Sequence, residues 1–178
     1  MYFRFTGELD AASVPFLAEG SLQPRSTVLL LDLDDPTAAP VPILVDYKPA
    51  GTPRRPSHLL TVLPYPGHPL RPSTRYGAAV FNGLRDADGF RLAPSPTLEA
   101  LDGPAPVGVP SETWAALRQD RDDVIEAVSN RTLWRPAELV AFAAFTTQAT
   151  TSEMEAIAAA VAALPAPEVL SRQPTTEP

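Results

Sequence analysis

No cysteine occurs anywhere in this chain, which excludes disulfide frameworks, thiolate catalysis and cysteine-ligated zinc. Lysine is almost as scarce. Lys48 is the single one, and Arg54-Arg55 is the densest basic spot. With a formal charge of −7 and no basic cluster, nucleic acid and anionic membrane surfaces are poor partners. No apolar run approaches the ~18 residues that a membrane span needs. The opening MYFRFTGELD has neither a basic n-region nor an apolar h-region, so it does not read as a signal peptide. Strand character begins already at Phe3, an abrupt start that points to a domain cut from a longer protein.

Catalytic motifs are missing too. There is no G-x-S-x-G nucleophile elbow, no HExxH, and no Walker or dinucleotide glycine pattern among the 9 glycines. The two histidines, His58 and His68, lie in proline-rich turns with no serine motif nearby, and they read as exposed loop residues rather than general bases.

Proline is what the chain has in abundance. Its 22 prolines in 178 residues are more than twice the usual ~5%. They are scattered between apolar runs rather than massed, which fits short strands with rigid connections better than disorder. The Arg-over-Lys, Ala/Pro-rich composition points to a high-GC bacterial source.

The first two-thirds read as β. Phe3–Thr6 is a short strand. Thr27–Leu33 (TVLLLDL) is an apolar run suited to burial on both faces. Val41–Tyr47 follows, with Pro42 marking an edge strand or its first residue. Leu59–Leu63 and Arg75–Asn82 are further strands. In the latter, Tyr76, Ala78, Val80 and Asn82 share one face, and Gly77, Ala79 and Phe81 the other. After Pro110 the period changes. Ser111 is a candidate N-cap, and Trp114, Leu117, Val124, Ile125 and Val128 form the apolar stripe of a helix over about 112–129. Leu139–Thr147 returns to strand, with Phe142 and Phe145 on opposite faces. Ser152-x-x-Glu155 is a capping-box pattern opening a helix over about 152–164. Its stripe is Met154, Ile157, Ala158, Val161 and Leu164. Residues 165–178 have linker composition.

Four groups of residues invite a chemical reading. Asp86-x-Asp88-Gly89 resembles the first half of a calcium loop, but no glutamate closes a 12-residue loop. The competing reading is a turn in which Asp86 bonds back to the backbone and Gly89 supplies positive φ. Asp32, Asp34 and Asp35 read as an exposed, solubilising strand edge. Asp120 and Asp123 share a helix face. Among aromatics, Tyr65 and Trp134 lie in loops beside prolines and are the candidates for a carbohydrate-stacking pair. Trp114 and Tyr76 read as core, Tyr76 in the position of a corner tyrosine.

In order along the chain, these pieces resemble the bacterial Ig-like domain family of surface-layer and other exported proteins. The residues that carry the resemblance are Leu60-Thr61-Val62-Leu63-Pro64, Leu70-Arg71-Pro72-Ser73-Thr74-Arg75-Tyr76, and Gly83-Leu84-Arg85-Asp86-Ala87-Asp88-Gly89. Phe5–Val14 supplies an opening strand and turn, and Ala144-Phe145-Thr146-Thr147 a closing strand. The arrangement is particularly similar to the module that precedes the α/β-hydrolase domain of large secreted lipases and esterases. The helix at 112–129 departs from it, and the hydrolase domain is absent from this chain.

The resemblance implies a mainly β fold, an Ig-like antiparallel β-sandwich over 1–148 with an inserted helix. A C-terminal helix over 149–164 and a tail over 165–178 follow. It implies a non-catalytic accessory module of an exported protein, at the cell surface, in the periplasm or outside the cell. Its partner would be a neighbouring domain of the same polypeptide, such as an α/β-hydrolase. Two alternatives stand beside it: a carbohydrate or surface-polymer module using Tyr65 and Trp134, and a calcium-dependent adhesion module using Asp86 and Asp88. The expected core is Leu29, Leu31, Ile43, Val45, Leu60, Val62, Tyr76, Val80, Phe142 and Phe145.

Overall fold

A computed structural model describes residues 1–149 and 151–164, so the expected tail over 165–178 lies outside the described residues. The chain divides into two compact units, Met1–Gln148 and a second beginning at Ala149.

The first unit holds six strands: β1 (Tyr2–Arg4), β2 (Val28–Asp32), β3 (Ile43–Lys48), β4 (Leu59–Pro64), β5 (Arg75–Phe81) and β6 (Leu139–Thr146). Its helices are α1 (Ala18–Ser21), α2 (Pro96–Ala100) and α3 (Ser111–Arg131). All strand pairs are antiparallel. They form two three-stranded sheets, ordered β1-β4-β3 and β2-β5-β6. Pro42 sits immediately before β3, an edge strand, where a missing N–H costs the ladder nothing.

The alternation of side chains along each strand decides the layering. Tyr76, Ala78 and Val80 of β5 share one core cluster with Val45, Leu60 and Val62 of the other sheet. The opposite face of β5 carries Ala79 and Phe81, which pack with Val124, Ala127 and Val128 of α3. One sheet is therefore buried on both faces, against its partner sheet on one side and a helix on the other. All five residues of β2 are buried, as its unbroken apolar run requires. Leu29 and Leu31 are fully buried, but they face α3. Val28 and Leu30 are the β2 residues in the core that both sheets share. On β6, Phe142 packs toward α3 and Phe145 toward the shared core, both partly buried.

α3 is fastened along its length. Arg75 forms ion pairs with Asp120 and Asp123, each at 2.8 Å. At the helix C-terminus the Arg131 guanidinium donates to the carbonyls of Asp32 (2.8 Å), Asp35 (2.6 Å) and Pro36 (3.1 Å). Burial pushes the Arg131 pKa down, partly offset by Asp32 and Asp35. The helix begins one residue earlier than the Ser111 cap implies. Pro110 occupies the cap position, Ser111 is already helical, and no side chain caps the end.

The second unit contains α4 (Ser152–Ala162). Its capping box does not form either: Thr151 holds the cap position with no side-chain bond. The Ser152 hydroxyl instead donates to the Ala149 carbonyl at 3.0 Å. The stripe residues Met154, Ile157, Val161 and Leu164 are exposed.

Candidate functional site

The Asp86 turn is built from backbone bonds. Its Oδ1 accepts from the N–H groups of Asp88 (3.1 Å) and Phe90 (2.8 Å). The Asp86 N–H donates to the Phe90 carbonyl, and the Gly89 N–H to the Asp86 carbonyl, both at 3.0 Å. Gly89 has φ +84°, a conformation that a side chain would strain. One carboxylate oxygen of Asp86 is thus committed to the turn, and Asp88 is exposed. Among the described residues no three His, Asp or Glu side chains gather into a cation-holding group.

The two aromatic candidates part company. Tyr65 is 41% exposed, whereas Trp134 is only 6% exposed. The Trp134 ring stacks on Phe81 at 4.8 Å with an interplanar angle of 3°, and Arg25 lies 4.4 Å above it. Its indole N–H donates to the Ser26 carbonyl at 2.7 Å. Both faces of the ring and its polar edge are occupied, so Trp134 is a core residue and Tyr65 stands alone of the pair. Tyr76 does act as a corner residue, since its hydroxyl accepts from the Arg71 N–H at 3.0 Å. His58 is half-buried rather than exposed, with Nδ1 3.3 Å from the Tyr47 hydroxyl. His68 is exposed.

Asp32 departs from the expected solubilising edge. It is 3% exposed. Its Oδ1 accepts from the N–H groups of Asp34 (3.0 Å) and Asp35 (2.9 Å). Its Oδ2 accepts from Arg71 at 2.5 Å, a bond that raises the Arg71 pKa. The run Asp32-Leu-Asp34-Asp35 ends a strand by folding back on itself.

A largely apolar cavity lies between the two sheets, where edge strand β1 comes beside edge strand β6. It measures about 420 Å³, with apolar walls from Phe3, Phe5, Leu92, Val140 and Ala141. Arg4, Glu8 and Asp86 are its charged lining residues. None of the three joins an ion pair among the described residues. β1 is only three residues long, too short to shield the side of the core beside it. The segment leading into α2 forms another wall. It is pinned where the Ser95 N–H donates to the Val140 carbonyl (2.8 Å) and the Ser95 hydroxyl accepts from the Leu98 N–H (3.2 Å). A third fastening ties residues 8–10 to 85–87: Ala87 N–H to Glu8 carbonyl (3.0 Å), and Asp10 N–H to Arg85 carbonyl (2.9 Å). Volume, apolar lining and a few polar groups match the general description of a binding cleft.

The edges of the second sheet differ. Residues 28, 30 and 32 of β2 point away from β5, and each carbonyl is engaged. The Ser26 hydroxyl bonds Val28, the Val41 N–H bonds Leu30, and Arg131 bonds Asp32. On β6 the bond from Thr147 N–H to Thr74 carbonyl and the register turn residues 140, 142, 144 and 146 outward. Ser95 takes the Val140 carbonyl. Among the described residues no hydrogen bond reaches the outward backbone of Phe142, Ala144 or Thr146.

Compared with models of protein families, with curated proteins and with solved structures, the chain matches none.

Proposed function

We propose that this chain is a non-catalytic interaction module, an Ig-like antiparallel β-sandwich serving as an accessory part of a larger exported bacterial protein. Its docking site is the cleft between β1 and β6, and its partner is an extended apolar segment of a neighbouring domain. The observation that carries this reading is the cleft itself, with its apolar walls and three charged residues that join no ion pair among the described residues. Extended segments suit such a place because alternate side chains fill the pocket while the backbone runs along a strand edge. Glu8 and Asp86 outnumber Arg4 in the lining, so the favoured segment carries one basic residue among apolar ones.

The reading is tested by calorimetric titration of the whole chain with two peptides. One alternates Val and Leu around a single Arg, and the other replaces that Arg with Glu. The Arg peptide should bind, the Glu peptide more weakly. Ala141→Arg, which fills the cleft with a cation, should weaken the Arg peptide by roughly tenfold or more. Equal affinity of wild type and Ala141→Arg, or no binding of either peptide, contradicts the reading.

A further inference from the structure

We infer that the open edge of β6 is a self-association site, pairing antiparallel with β6 of a second copy of this chain. The inference is independent of the cleft, because it rests on the three outward backbone positions 142, 144 and 146. An open strand edge is a ready template for another strand unless charge, proline, a bulge or a covering segment blocks it. On β2 all three outward carbonyls are engaged; on β6 Ser95 engages the first, and among the described residues nothing engages the next three. The stretch Leu139–Thr147 also contains no charged residue and no proline.

Two arguments select a second copy over a foreign strand. The first is charge. Two chains of −7 meet most easily along a neutral strip, where a two-fold axis sets no like charges directly opposite one another. A strip without charge also offers nothing with which to select a foreign sequence. The second is register. The open positions are three in number with the small Ala144 at the centre, so an axis through Ala144 satisfies all of them. Ala144 then faces its own copy, Phe142 faces Thr146 of the second copy, and each facing pair exchanges both N–H···O bonds. The Ser95–Val140 bond ends the paired stretch at the same place in both copies. The product is one six-stranded sheet, β2-β5-β6 continued by its symmetry mate.

The absence of cysteine gives a direct test. Residues facing each other in a hydrogen-bonded antiparallel pair have Cα atoms about 5.5 Å apart, within the roughly 4.4–6.8 Å that a disulfide spans. Under mild oxidation Ala144→Cys should become a covalent dimer. The control Thr97→Cys, exposed on α2, should cross-link at least about tenfold more slowly, because only the first pairs its thiols at high effective concentration. Light scattering of the unmodified chain over a dilution series should show dimer, and Ala144→Pro should show monomer. The Ala144 N–H points away from β5, so proline there spares the sheet's own ladder, and the variant's circular dichroism should match wild type. An unmodified chain that stays monomeric throughout the series overturns the inference. So do equal cross-linking rates for the two cysteine variants, or a folded Ala144→Pro that still dimerises.

Discussion

At Gly77 α3 lies close against the sheet beneath it. A Cβ built there would stand 2.6 Å from Val124 Cγ2 and 3.1 Å from Leu33 Cδ2. Val124 is β-branched and sits in a helix, where one χ1 rotamer dominates, so it has little room to turn aside. Gly77→Ala should therefore destabilise the first unit by about 1–3 kcal/mol, read as a lower urea midpoint at unchanged slope. Tyr76 offers a milder case. Tyr76→Phe keeps the ring in the core and removes the acceptor for the Arg71 N–H, at an expected cost of about 0.5–1.5 kcal/mol. A Tyr76→Phe melt superimposing on wild type would show that water replaces the bond without loss. At this scale Asp86 and Gly89 were legible in advance, because an Asx turn is written in neighbouring residues. Trp134 was not. Its burial depends on Phe81 and Ser26, distant in the chain, and a local reading saw only a tryptophan beside a proline.

α3 is held by packing along its middle and by charged contacts along its length: Arg118 on the Leu101 carbonyl, Arg121 with Asp102, Asp120 and Asp123 with Arg75, and Arg131 at the C-terminus. Arg131 satisfies three carbonyls, one at the end of β2 and two in the turn that follows it. Arg131→Met keeps the apolar stem and removes the donors. It should cost about 1.5–3 kcal/mol and should speed hydrogen exchange in the last turn of α3 more than in β5. Uniform exchange changes across the unit would contradict a local anchoring role. Most elements were legible from periodicity: β2 as a doubly buried strand, the alternation of β5, and α3 to within a residue or two at each end. The caps depart from the sequence pattern because Pro110 and Thr151 take the positions that Ser111 and Ser152 favour. Sheet membership was out of reach. β1 pairs with β4, and β2 with β5, and pairings across such sequence distances leave no local trace. That is also why Leu29 and Leu31 were expected in the core between the sheets, although the helix covers them.

For the molecule as a whole, layering explains both the composition and the proposed site. One sheet is enclosed by its partner sheet and α3, while the other leaves Tyr2, Leu44 and Leu63 exposed on its outer face. The layers fit imperfectly where short β1 meets β6, and the cleft is the gap they leave. No sequence motif announces such a gap, because its walls come from residues 3–8, 86, 92–96 and 140–141, brought together only by the fold. The proposed docking role rests on this gap.

Chemical-shift mapping of the backbone amides, with the single-Arg apolar peptide added to the intact chain, tests that claim most directly. The shifts should gather on Phe3, Phe5, Leu92, Val140 and Ala141, and in Ala141→Arg they should need roughly tenfold or more peptide to reach the same size. Saturable shifts centred elsewhere, for example on the exposed stripe of α4 or around Tyr65, would contradict it.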